Sequence, residues 1–273
     1  MHPIPTSFHI GPLEIHTYGV GLAITFWVAY RYFEHRLAKR GFATEWVSSL
    51  FLWVIASAIL GARLMHVVSN LGYYTAHPAQ IVAIWQGGLS SFGGLLLAVP
   101  VAIVIARRRC PELGVLEGLD IVAPVLMAAW ALGRLLGPQL MVAGGGHPTD
   151  QWFGMYYEGQ EGRRVPVPVI QAIEDFATYL ILIFTERRLA RREAEHPETP
   201  KVPGTVIGLA MIIWGITRGL DEHFLLDDIG HLGSVLVQGA SVLLIIGGAI
   251  ILWSTARRRR RSLERSPEQA HQL

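Results

Sequence analysis

Long apolar stretches separated by short runs of arginine and lysine fix the class of this chain before any motif is read. A helix needs ~20 mostly apolar residues to cross ~30 Å of hydrocarbon. Stretches of that kind fall at roughly 18–33, 46–68, 86–106, 119–140, 167–186, 204–224 and 232–254. Only 16% of the 273 residues are charged and 51% are hydrophobic, whereas a soluble domain carries about a quarter of its residues charged. The expected fold is an all-α polytopic membrane protein of about seven transmembrane helices, occupying residues 1–254. A basic, polar tail, 255–273, is expected to be disordered.

The basic clusters orient the spans. Arg31, Arg36, Lys39 and Arg40 lie at or after the end of the first span, and Arg107, Arg108 and Arg109 follow the third. Arg187, Arg188, Arg191, Arg192 and Lys201 follow the fifth, and Arg257 to Arg261 with Arg265 follow the seventh. All fall on one side of a seven-span chain, and the positive-inside rule makes that side cytoplasmic. The N-terminus is then outside and the C-terminus inside. The opening MHPIPTSFHIGPLEIH has no basic region ahead of an apolar core, so it does not read as a cleaved signal peptide. A net charge of +2 makes nucleic acid an unsuitable partner, and the single cysteine, Cys110, excludes an internal disulfide or a cysteine metal cluster. No metal or cofactor is expected.

Five basic residues escape the one-sided pattern: Arg163 and Arg164 in the 141–166 loop, and Arg63, Arg134 and Arg218 toward the outer ends of the second, fourth and sixth spans. An arginine at mid-membrane costs about 2.5–3.5 kcal/mol on insertion scales, so it needs a partner or a task. Each of the three span arginines can snorkel to the outer interface. Their matched depth also suits a polar cavity that holds an anion, and phosphate matches the guanidinium fork. Asp221 lies three residues and Glu222 four residues after Arg218, so Glu222 can pair with it on one helix face, as a structural bond or to aim the guanidinium at a ligand. Gly87, Gly88, Gly93 and Gly94 bracket Leu-Ser-Ser-Phe at the start of the third span. That density serves close helix packing or the approach of an anion to backbone N–H groups. Gly144, Gly145 and Gly146 read as a flexible loop segment, and His147 beside them reads as a solvated side chain.

In this order and spacing the residues resemble the bacterial prolipoprotein diacylglyceryl transferase family, from about Ile10 to Trp253. IGPLEIHTYGVGLA places His16, Tyr18 and Gly19 on a His-x-Tyr-Gly, and GARL carries Arg63. IWQGGLSSFGGLL is similar to the family's Trp-x-Gly-Gly-Met-Ser-x-His-Gly-Gly, and GRLLGPQL opens like Gly-Arg-x-x-Asn-Phe-x-Asn at Arg134. His147-Pro148-Thr149-Asp150 resembles an Arg-Pro-Thr-Asp, and RRVPVPVIQAI stands where the family has Arg-His-Pro-x-x-Leu-Tyr-Glu. WGITRGLDEHFL resembles Tyr-Gly-x-x-Arg-x-x-x-Glu-Phe-x-Arg, on Arg218 and Glu222.

The resemblance implies a helical membrane body with a small periplasmic head, in the bacterial plasma (inner) membrane. It implies transfer of diacylglyceryl from phosphatidylglycerol to the thiol of a lipobox cysteine, in lipoprotein biosynthesis. Catalysis would fall to Arg134, Arg218 and Glu222, and substrate binding to Tyr18, Arg63, Gly93 and Gly94. The implied partners are phosphatidylglycerol or another anionic phospholipid and the signal peptides of preprolipoproteins.

This sequence also departs from the pattern. Phe92 stands at the histidine before the paired glycines, a candidate base in the family, and phenylalanine takes no proton. The signature asparagines are replaced near Gly137 or Pro138 and near Leu140 or Met141, and its glutamate near Val142. The His-Pro-x-x-Leu-Tyr-Glu stretch has become Val165 to Gln171, Trp214 replaces a tyrosine, and Leu225 replaces the last arginine. Three readings stay open: a divergent transferase, a catalytically altered paralogue that binds an anionic phospholipid, and a transporter. The retained arginines favour the first two, and the absence of an internal repeat weighs against the third.

Overall fold

The computed structural model describes residues 7–10, 13–84, 90–137, 140, 142, 144–197, 201–224 and 231–270. A short antiparallel hairpin, β1 Ser7–Ile10 and β2 Leu13–His16, precedes the helices, with Ser7 opposite His16. It is an addition to the all-α expectation.

The helices are α1 Thr17–Lys39, α2 Val47–Ser69, α3 Leu71–Ala76, α4 Ser91–Arg109, α5 Val115–Leu136, α6 Val167–Glu195, α7 Thr205–Phe224 and α8 His231–Ala270. A 3-10 turn, Pro78–Val82, follows α3. Each expected span overlaps one of the long helices. Gly87 and Gly88 lie outside the described residues, and α4 begins at Ser91. α8 continues through the arginine run to Ala270, so the described tail is helical where disorder was expected.

Among the described residues, four helices are long and apolar enough to cross a membrane: α2, α5, α6 and the Val237–Arg261 part of α8. The reason α7 is not among them is informative. It has 20 residues, and Arg218, Asp221 and Glu222 all fall in its last two turns. Many large apolar side chains on these helices face outward, among them Trp53, Leu64, Phe184, Leu243 and Trp253. Such a surface suits hydrocarbon rather than water.

The chain packs as two units, one of residues 1–33 with 116–273 and the other of residues 34–115. In the second unit α2 and α4 run antiparallel and cross closely at Gly61 and Gly93. A Cβ on Gly93 would stand 2.3 Å from both the Gly61 carbonyl oxygen and the Met65 Cβ. Glycine is therefore required there to let the backbones meet. The Ser90 N–H continues the contact by donating to the Ala62 carbonyl at 3.0 Å.

In the first unit, Ala123 and Met127 of α5, Leu182 of α6, and Val206, Ile207 and Ala210 of α7 form the core. Trp130 and Trp214 stack on one another at 4.7 Å. The Asp120 carboxylate of α5 accepts from the Gly204 N–H at 2.7 Å and the Ile207 N–H at 2.8 Å. It thus satisfies donors that a helix start leaves open and favours the positive end of the α7 dipole. This bond joins the start of α5 to the start of α7, so the two helices run parallel. α8 returns antiparallel along α7, with Gly208 against Gly248 and Gly215 against Ser241.

Candidate functional site

Because α5 and α7 run parallel and α6 opposes them, the ends of α5 and α7 meet the start of α6. Several polar residues near those ends face the same small volume. Arg134 lies in the last turn of α5; Gln171, Glu174 and Asp175 lie in the first turns of α6; and Trp214, Thr217, Arg218 and Asp221 lie on α7. Together they line a small recess.

Its contacts are specific. Arg218 Nη2 donates to Glu222 Oε2 at 2.9 Å, the i,i+4 pair expected from the sequence, and the Glu222 side chain is only 1% exposed. Gln171 Nε2 donates to Asp221 Oδ2 at 2.8 Å. Glu174 and Asp221 come within hydrogen-bonding reach of one another. Arg134 stands within electrostatic range of Asp175, Arg218, Asp221 and Glu174. Arg218 Nη1 and Asp175 Oδ2 are buried and take no hydrogen bond among the described residues. A buried polar atom left open costs about 1–3 kcal/mol, which a ligand can recover.

The recess is more acidic than an arginine pair alone suggests. Three carboxyl groups and two guanidinium groups line it. An anion entering it meets the open face of Arg218 and also the three acids. No group of three or more His, Cys, Asp or Glu among the described residues is arranged to hold a metal ion.

The other residues singled out in the sequence have these surroundings. Arg63 belongs to the second unit, where it donates to the carbonyls of Gln80, Ile81 (2.9 Å) and Ala83 (3.4 Å) and lies over the Tyr74 ring. Its described bonds thus tie the 3-10 turn to α2. Gly93 forms the close α2–α4 crossing, and a Cβ on Gly94 would meet the Ala58 carbonyl at 3.2 Å. Tyr18 opens α1 and stacks on His16 at 5.2 Å. Phe92 is in the first turn of α4, and its side chain lies outside the described residues, as do Pro138, Met141 and Leu225.

Residues 144–166 are held by a network of hydrogen bonds and are not the flexible glycine stretch expected. The Gln160 side chain donates to the Gly145 carbonyl at 2.9 Å and accepts from its N–H at 2.8 Å. Met155 and Arg164 exchange backbone bonds of 2.9 and 2.8 Å. Arg163 Nη2 donates to the carbonyls of Gln151 and Trp152 at 2.6 and 3.0 Å. Tyr157 is buried beneath this lattice, its hydroxyl has no hydrogen-bond partner among the described residues, and burial pushes its pKa up to about 12.

Sequence reasoning met Gln171 and Trp214 only as departures from the family motifs, and did not single out Glu174, Asp175 or Thr217. A signal existed for two of them. Glu174 and Asp175 are adjacent acids inside an apolar span, and ionisable residues in such a place point to function or to a buried partner.

Comparison with known proteins adds a separate line of evidence. The family model of prolipoprotein diacylglyceryl transferase matches residues 5–254. A phosphatidylglycerol–prolipoprotein diacylglyceryl transferase of Azotobacter vinelandii is 32% identical, over 94% of this chain and 96% of its own length. Another, of Methylibium petroleiphilum, is 28% identical over 93% and 97%. With a match over nearly the whole chain, and over more than nine-tenths of these relatives' own length, this protein belongs to the prolipoprotein diacylglyceryl transferase family.

Proposed function

We propose that this protein transfers the diacylglyceryl group of phosphatidylglycerol to the thiol of a lipobox cysteine in a preprolipoprotein signal peptide. The observation that carries the reading is the recess where Arg134 and Arg218 meet, with the Nη1 edge of Arg218 open, in a chain of this family. Glycerol phosphate, a phosphate monoester, is a poor leaving group until charge on its oxygens is offset, and preorganised guanidinium groups in a water-poor site offset it well. Arg134 and Arg218 hold the phosphate. Glu222 keeps the Arg218 guanidinium in one orientation, which lowers the ordering cost at the moment of transfer. Tyr18, Arg63, Gly93 and Gly94, which the family resemblance marks, are assigned to substrate binding.

The chain crosses the bacterial inner membrane seven times, with the N-terminus outside and the arginine-rich C-terminus in the cytoplasm. The 142–166 segment is then the periplasmic head. One observation favours a second reading, an altered paralogue that binds an anionic phospholipid without transferring it: phenylalanine at position 92 takes no proton. The deciding experiment is incubation of the purified protein with phosphatidylglycerol and a lipobox peptide, followed by mass spectrometry. A thioether-linked diacylglyceryl peptide is expected. Lipid retention with no product after long incubation would establish the second reading instead.

A further inference from the structure

The proposed transfer needs somewhere for the thiol proton to go. The recess offers no histidine, so its proton acceptors are the carboxyl groups of Glu174, Asp175 and Asp221. Two of these are already engaged. Asp221 Oδ2 accepts from Gln171, and Asp221 and Glu174 reach one another. Glu222, just outside, is held by Arg218 at 2.9 Å. Asp175 differs from all of them. It is only 4% exposed and lines the recess, and its Oδ2 takes no hydrogen bond among the described residues. Trp214 hydrogen-bonds its carboxyl group, and Arg134 lies within electrostatic range. A carboxylate oxygen with a vacant lone pair, in a residue that lines a recess beside two guanidinium groups, is suited to accept a proton.

Resting on the transferase reading, we infer that Asp175 is the catalytic base that takes the proton from the lipobox thiol. The S–H proton moves to Asp175 Oδ2, and the thiolate attacks the glyceryl carbon that bears the phosphate ester. The new C–S bond forms as the C–O bond breaks. The C–O electron pair leaves with glycerol phosphate, whose charge Arg134 and Arg218 hold. The proton then passes from Asp175 to the departing phosphate or to water, which restores the carboxylate. Gln171 and Asp221 act as positioning residues. By binding each other they leave Asp175 as the open acceptor.

The test uses the full-length protein with phosphatidylglycerol and two lipobox peptides that differ only in cysteine or selenocysteine at the acceptor position. A selenol is already ionised at neutral pH and needs no base. Asp175→Asn should slow transfer to the cysteine peptide by about 10²–10⁴-fold, the usual contribution of a general base. Transfer to the selenocysteine peptide should fall less than about tenfold. The ratio of the two rates does not depend on how much of the variant is folded. Asp175→Glu, which keeps the carboxyl group, should hold that ratio near wild type and serves if the asparagine variant does not fold. An equal loss with both peptides would make Asp175 structural, and no loss with either would assign the proton to another acceptor; each outcome overturns the inference alone. Wild-type protein that transfers to neither peptide would overturn the transferase reading, and this assignment with it.

Discussion

Gln171 and Asp221, fifty positions apart in the chain, share a hydrogen bond of 2.8 Å that fastens the start of α6 to the end of α7. Both side chains are buried, at 6% and 3% exposure. Gln171→Ala leaves a carboxylate oxygen without its donor, at a cost of about 1–3 kcal/mol. Thermal unfolding in detergent should show a lower midpoint for Gln171→Ala. Gln171→Glu should be worse, because it sets a second acid against Asp221. A Gln171→Glu midpoint at or above wild type would dismiss the bond as a constraint.

The arginine pair makes a separate expectation. Arg134→Ala and Arg218→Ala should each weaken retention of phosphatidylglycerol in native mass spectrometry. Lysine at either site should restore only part of it, because an ammonium group lacks the bidentate fork. Unchanged retention in both alanine variants would assign the residues to internal ion pairing.

Two glycines offer a matched contrast. Gly93→Ala puts a methyl group 2.3 Å from the Gly61 carbonyl, whereas a Cβ on Gly19 meets nothing within 4 Å. Overpacking of this kind typically costs about 1–3 kcal/mol. Gly93→Ala should therefore lower the unfolding midpoint, and Gly19→Ala should leave it unchanged or raise it slightly. Equal behaviour of the two variants would contradict the close α2–α4 crossing.

Tyr157 gives a pH signature. Its ordinary pKa of 10.0 is raised to about 12 by burial, so folding favours the neutral phenol. The unfolded chain ionises first as pH rises, and the stability from this group is complete below about pH 10 and lost on the way to about pH 12. In Tyr157→Phe that alkaline loss should be shallower. At neutral pH the variant should be as stable as wild type or more so, since it removes a buried hydroxyl that has no partner among the described residues. A steeper alkaline loss in the variant would contradict the assignment.

Topology is tested by labelling. Cysteines introduced at Gln160 and Gln269 should react with membrane-impermeant reagents from opposite sides, Gln160 from the periplasm. Equal access from that side would overturn the proposed orientation.

What could be read from the sequence divides by distance along the chain. The long helices follow from apolar runs, and Arg218 with Glu222 follows from helical spacing, because both facts are local. The bond between Gln171 and Asp221 depends on the packing register of two helices, which no window of residues contains. Arg63 illustrates another limit. Its described hydrogen bonds go to main-chain carbonyls, which every residue carries, so no side-chain pattern announces them. The glycines at 93 and 94 suited either packing or an anion, and the distance to Gly61 makes Gly93 a packing residue whatever else it does. Arg218, Asp221 and Glu222 make the end of α7 less apolar than the rest of that helix, and two of them, Arg218 and Asp221, line the recess.

Arg163 gathers the carbonyls of Gln151, Trp152 and Gly154, and the Trp152 indole beside them is 87% exposed. A side chain presented from a fastened segment has surrendered much of its freedom in advance. When an indole so held reaches the boundary between water and lipid, where its apolar body and its N–H are both accommodated, little further ordering is demanded of the loop. A segment tied down in this way yields little when something presses on it, and Trp152 is presented from a fixed base.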